Sequence, residues 1–171
     1  MRILGVDPGL RVTGYGVIDA VSERVSQDGG MELVEAGVIR THARGAIADT
    51  LERIYTGLEE IIAEFRPEVL VIEKLYSHYK HPSTAIMMGH ARGVVCLLSG
   101  LKNLPLVSIP STHVKKTVSG CGHAGKDQVG RMVQRYLGLK PTVAPPDATD
   151  ALAIAITYVF NSERSRGTVN A

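Results

Sequence analysis

The chain opens with an apolar run, Ile3-Leu4-Gly5-Val6, that stops at the carboxylate of Asp7 and turns at once through Pro8-Gly9. Pro8 presets its own backbone angle, and Gly9 tolerates the positive φ that a tight turn needs. A second stretch, Thr13 to Ile18, follows after this short link. Strands joined so closely pair antiparallel. The turn therefore mounts one negative side chain at the end of a rigid strand, which suits a metal ligand better than a loop would. Taken alone, the same residues also fit a hairpin whose Asp caps its own turn.

The rest of the pattern extends this beginning into an α/β sheet. A third strand is predicted from about Glu32 to Thr41, after a turn at Gln27-Asp28-Gly29-Gly30. Ile47, Leu51, Ile54, Leu58, Ile61 and Phe65 then recur at spacings of three and four, the apolar face of a helix that ends at Pro67. Val69-Leu70-Val71-Ile72 is short and wholly apolar, as in a central strand buried on both faces, and Glu73 follows directly. A helix is predicted from Ser83 to Ser99, stopping at Gly100, and a strand over Leu106–Ile109, stopped by Pro110. Helices follow at Ser111–Val118 and Lys126–Leu137, separated by the Gly-rich run from Gly120 to Gly125. Pro145-Pro146 introduces the last helix, Asp147 to about Phe160. The order βββαβαβααα implies a mixed five-stranded sheet with helices on both faces. One domain is expected over residues 1–160, with 161–171 a polar, flexible tail that frays from Ser162.

Charge is distributed unevenly. The formal net charge is only +2, yet no Asp or Glu occurs from Lys74 to Lys126. That segment carries Lys74, Lys80, Arg92, Lys102, Lys115, Lys116 and Lys126, and five of the six histidines. A basic segment beside carboxylates is what a phosphodiester substrate requires, although a merely solvated basic face has the same composition. The histidines at 78, 81, 90, 113 and 123 lack the spacing of a zinc site. No apolar run is long enough to span a membrane, and the N-terminus enters a strand without a signal-like segment, so a cytoplasmic protein is expected. Cys96 and Cys121 are too few and too differently placed for a disulfide framework.

The candidate chemistry lies in four acids. In sheets with parallel strands, ligands gather at the strands' C-terminal ends. Asp7 and Glu73 both follow such ends, and they become neighbours if their strands are adjacent. Asp147 and Asp150, three apart, share a helix face. Acids in a first turn are also favoured by the helix dipole in any protein, so that pair carries little alone. Gathered together, the four would repel, and divalent cations would remove the repulsion. All-oxygen donors select Mg²⁺ or Mn²⁺ over zinc.

Together these stretches resemble the bacterial RuvC family, Holliday-junction resolvases of the RNase H-like superfamily. The matching segments are Gly5-Val6-Asp7-Pro8-Gly9, Val71-Ile72-Glu73, His90-Ala91-Arg92-Gly93-Val94, Val114-Lys115-Lys116-Thr117-Val118, Lys126-Asp127-Gln128-Val129 and the run from Asp147 to Ala155. The resemblance implies that Asp7, Glu73, Asp147 and Asp150 are catalytic and bind two Mg²⁺ ions, with Mn²⁺ a possible substitute. Some members carry a histidine near the last acids, where this chain keeps aspartate. The resemblance places Lys115 and Lys126 against DNA, and Lys116 and Arg92 are further candidate DNA contacts. Tyr76 stands where the family often has a phenylalanine that packs on unstacked bases, and Tyr79 is a second aromatic candidate. The helix from Ser83 is apolar around more of its circumference than one core face needs, as in a central helix or one shared with a second copy, and the resemblance implies the second. A homodimer would set two identical sites on a four-way junction and make paired nicks with 5′-phosphate and 3′-hydroxyl ends, in recombination and repair. The junction-binding protein RuvA and the branch-migration motor RuvB are the implied partners.

Three other readings stay open on the residues alone. A nuclease of the same fold acting on RNA–DNA hybrids or precursor RNA would show the same acids and basic segment. An actin-like ATPase shares an Asp-Pro-Gly phosphate loop, but needs two such domains, for which 171 residues leave no room. A non-catalytic junction binder gains nothing from clustered acids beside phosphate.

Overall fold

The computed structural model describes residues 1–21, 30–41, 46–75, 82–140 and 145–167. In chain order the elements are β1 (Arg2–Asp7), β2 (Val12–Ala20), β3 (Met31–Arg40), α1 (Ile47–Phe65), β4 (Val69–Glu73), α2 (Pro82–Leu101), β5 (Leu106–Ile109), α3 (Ser111–Ser119), α4 (Lys126–Tyr136) and α5 (Pro146–Gly167). The sheet runs β3-β2-β1-β4-β5. β1 is its seam: it pairs antiparallel with β2 and parallel with β4. The predicted meander and mixed sheet are therefore both present.

Alternation along β1 builds a core on each face. Ile3 packs with Val69, Val71, Leu152 and Ile156 in the layer beneath α3, α4 and α5. Leu4 and Val6 pack with Leu70, Ile72, Ile54, Leu58 and Leu98 beneath α1 and α2. The wholly apolar Val69–Ile72 run serves both faces, which is why it shows no alternation. Each large aliphatic side chain so buried contributes about 1.5–3 kcal/mol of transfer free energy.

Two glycines set how α5 lies on the sheet. A Cβ at Gly5 would stand 2.2 Å from the carbonyl oxygen of Ala151, and one at Gly14 would stand 2.0 Å from that of Asp147. Only a residue without a side chain lets the first turns of α5 rest on β1 and β2. Ala148, Ala151, Leu152 and Ala155 are fully buried in that contact.

Two helices differ from the sequence expectation. α2 continues through Gly100 to Leu101. α5 continues past Phe160 to Gly167. The Ser162 hydroxyl bonds the Val159 carbonyl at 2.8 Å, and the polar run beyond it carries no apolar periodicity for a pattern reading to detect. Residues 168–171 and the turn at Gln27-Asp28-Gly29 lie outside the described residues. No helix among the described residues is long and apolar enough to cross a membrane.

Candidate active site

The parallel pairing of β1 and β4 brings the first two acids together. Val6 is in register with Ile72, so the strands' last residues, Asp7 and Glu73, stand side by side. The turn after Asp7 is held by Thr13, which is fully buried. Its hydroxyl donates to the Gly9 carbonyl at 2.8 Å. Opposite, the register Asp7↔Gly14 puts the start of α5 over the same strand end, because Gly14 carries the Asp147 backbone. The sequence thus places strand ends and a helix start at one point of the sheet.

A cavity of about 730 Å³ opens there, and Asp7, Glu73 and Asp150 line it with Lys115, Lys126, Arg92 and Ser111. Asp147 is outside its lining, but its charge reaches Asp7. Burial first, then the charges of Asp150 and Glu73, push the Asp7 carboxyl up to about 6. Burial also raises Glu73, against a hydrogen bond from Ser111 that lowers it. Lys126 Nζ lies 2.7 Å from Asp150 Oδ2, and this pair holds the lysine's pKa above its ordinary value. Partly buried acids facing one another hold negative charge at a cost that a bound proton or a metal cation relieves. Lys126 supplies one positive charge, and oxygen donors alone form the rest of the set, which fits a hard divalent ion. Among the described residues no three acidic, histidine or cysteine side chains already converge on a common ion position.

The basic residues divide. Lys115, on α3, lines the cavity facing Glu73. Lys116, the next residue of the helix, is exposed and outside the lining. Arg92 lines the cavity from α2, and its guanidinium is engaged within the chain. Nη1 donates to the Glu73 carbonyl at 2.6 Å, and Nη2 donates to Ser108 Oγ at 2.8 Å. Tyr76, Tyr79, His78, His81 and Lys80 lie outside the described residues. His113 bonds Asn161 at 3.0 Å and takes no place in the cavity. Sequence reading missed Thr13, Ser111 and the inward turn of Arg92. A Ser directly after the strand-ending Pro110 was the available signal for Ser111.

The model of the family described as "Crossover junction endodeoxyribonuclease RuvC" matches residues 3–158. The chain belongs to the RuvC family. The RuvC of Paramagnetospirillum magneticum is 41% identical over 161 residues, covering 94% of this chain and 92% of that protein. The RuvC of Rhodopirellula baltica is 40% identical over 162 residues, covering 94% and 88%. Among solved structures, T. thermophilus RuvC in complex with Holliday junction substrate superposes with a TM-score of 0.86 at 29% identity, covering 96% of each chain. The five-stranded sheet and its helices are accordingly the RNase H-like fold that the sequence predicts for RuvC proteins.

Proposed function

We propose that Asp7, Glu73, Asp147 and Asp150 are the acids with which this RuvC-family endonuclease cuts Holliday junctions. The observation that carries the assignment is the shared cavity, in which two strand-end acids and a helix-start acid lie with Lys74, Lys115 and Lys126. These acids would hold Mg²⁺, two ions per site, with Mn²⁺ an acceptable replacement. When bound, such ions activate a water and stabilise the leaving oxygen of an in-line displacement at phosphorus.

The chain's own residues supply the rest. Asp7 and Glu73 sit on strand ends whose ladder leaves their backbone little freedom, so these two donors are mounted on a rigid frame. Ser111 stands with Glu73 in the cavity wall and favours its ionised form. Lys115 and Lys126 offset the acids' repulsion of a phosphate and stabilise charge that develops on its oxygens. The apolar lining from Val114, Val129 and Ile154 limits water beside the acids. The products are 5′-phosphate and 3′-hydroxyl ends that a ligase can seal.

The symmetric outcome calls for two sites. α2 leaves Ile86 62%, Leu97 55% and Leu101 58% exposed, an apolar face that a second copy would cover. A two-fold dimer presents two cavities to a substrate of matching symmetry. The enzyme works in the cytoplasm beside RuvA and RuvB, and Tyr76 stacks on unstacked bases at the junction centre.

End-labelled synthetic four-way junctions in Mg²⁺, with linear duplex and RNA–DNA hybrid as controls, test the reading. Paired nicks on the junction alone, lost in Glu73→Gln while binding persists, are expected. Cutting of the hybrid but not the junction would overturn the substrate assignment. Unimpaired cutting by Glu73→Gln would overturn the site.

A further inference from the structure

Arg92 reaches across two elements to a backbone atom of the candidate site. It sits on α2, nineteen residues beyond Glu73 in the chain, and donates to the Glu73 main-chain carbonyl at 2.6 Å. Its other terminal nitrogen donates to Ser108 Oγ on β5 at 2.8 Å. Glu73 is the last residue of β4, paired to Ile109 of β5, and the ladder's final bond is Lys74 N–H to the Ile109 carbonyl at 2.8 Å. The Glu73 carbonyl therefore lies where the sheet gives out, and Arg92 takes it up. The guanidinium fork is what allows one side chain to hold two strands at once. Bonds from a charged donor are stronger than neutral ones.

We infer that Arg92 is a positioning residue: it fixes the backbone at Glu73, and so the carboxylate, to the frame of helix α2. The geometry favours this over a purely phosphate-binding role, because both terminal nitrogens of the guanidinium are already tied to β4 and β5. It also gives α2 a second task. The face that leaves Ile86, Leu97 and Leu101 exposed and the side chain that secures Glu73 belong to one helix. Whatever settles α2 therefore also settles Glu73. This inference rests on the reading of Glu73 as a catalytic acid.

The test uses the full chain in four variants: Arg92→Met, Arg92→Lys, Ser108→Ala and Glu73→Gln. Junction affinity is measured by fluorescence anisotropy in Ca²⁺ across a salt series. Single-turnover cleavage is measured at saturating junction across a Mg²⁺ series. Arg92→Met is expected to cut roughly 10–100-fold more slowly at saturation, the scale of a small misplacement of a reacting group. Its affinity and salt slope should match the parent, and its half-saturating Mg²⁺ should rise. Arg92→Lys, which keeps the charge on a single donor nitrogen without the fork, should recover part of the rate, and Ser108→Ala should lose less than Arg92→Met. A merely structural loss would lower the active fraction and leave the Mg²⁺ dependence where it was, which would overturn the inference. So would weaker binding with a salt slope smaller by about 1 and an unchanged saturated rate, the signature of a phosphate contact. If Arg92→Met does not fold, Arg92→Lys and Ser108→Ala decide, and parental rates and Mg²⁺ dependence in both would overturn it. Failure of the underlying assignment is separately visible, as cutting that survives in Glu73→Gln.

Discussion

Asp7 carries the electrostatic signature of the proposed site. Its carboxyl is raised from 3.8 to about 6 by burial and by the surrounding acids. A folded-state pKa above the unfolded one means that the folded chain holds its proton more tightly. Metal-free protein should therefore lose stability as pH rises from about 4 through about 6, and keep the loss above that. Asp7→Asn removes the penalty. In EDTA at pH 7.5 it should be more stable than the parent by roughly 1–3 kcal/mol, and at pH 4 it should show little difference. Urea titrations at the two pH values check this, and equal stability at pH 7.5 would mean that the crowding is slight. Activity should move the opposite way, with Asp7→Asn inactive in Mg²⁺, so the residue trades stability for function.

At the scale of elements, the site depends on how α5 meets β1 and β2. Gly14→Ala would drive a Cβ into the Asp147 carbonyl, where 2.0 Å is available. The helix start must then lift, which should destabilise the fold by roughly 1–3 kcal/mol. It should also lower cleavage more than junction binding, because Asp147 and Asp150 ride on that turn. Thermal unfolding beside single-turnover rates would separate the two effects. Strand ends were legible in the sequence because the apolar runs of β1 and β4 each stop at a carboxylate. Helix α1 was legible from its spacing. The contacts of Arg92 were not, because a pattern along one helix does not say which strand end a long side chain will reach. Nor was the α5 extension to Gly167, since its polar residues lack the periodicity that marks a helix face.

For the whole molecule, the unpartnered face of α2 and the two-fold form of the substrate make one expectation. Leu97→Asp should convert a dimer into a monomer in sedimentation while leaving each cavity intact, because Leu97 is 55% exposed in the single chain. Such a monomer should nick one strand without the paired second cut. A Leu97→Asp protein that sediments and cuts like the parent would place the dimer contact elsewhere. The acid-free segment from Lys74 to Lys126 has a matching consequence at long range. Junction binding should weaken steeply with salt, as expected where lysines and arginines displace counterions from phosphates.

The central claim is that the four acids form a divalent-metal centre, and calorimetric titration of Mn²⁺ into the protein tests it most directly. At pH 6, run in two buffers of different ionisation enthalpy, the parent should bind and release protons, since Asp7 is about half protonated there. Asp7→Asn and Glu73→Gln should lose most of the heat. Binding of the same strength and proton release in both variants would contradict the account.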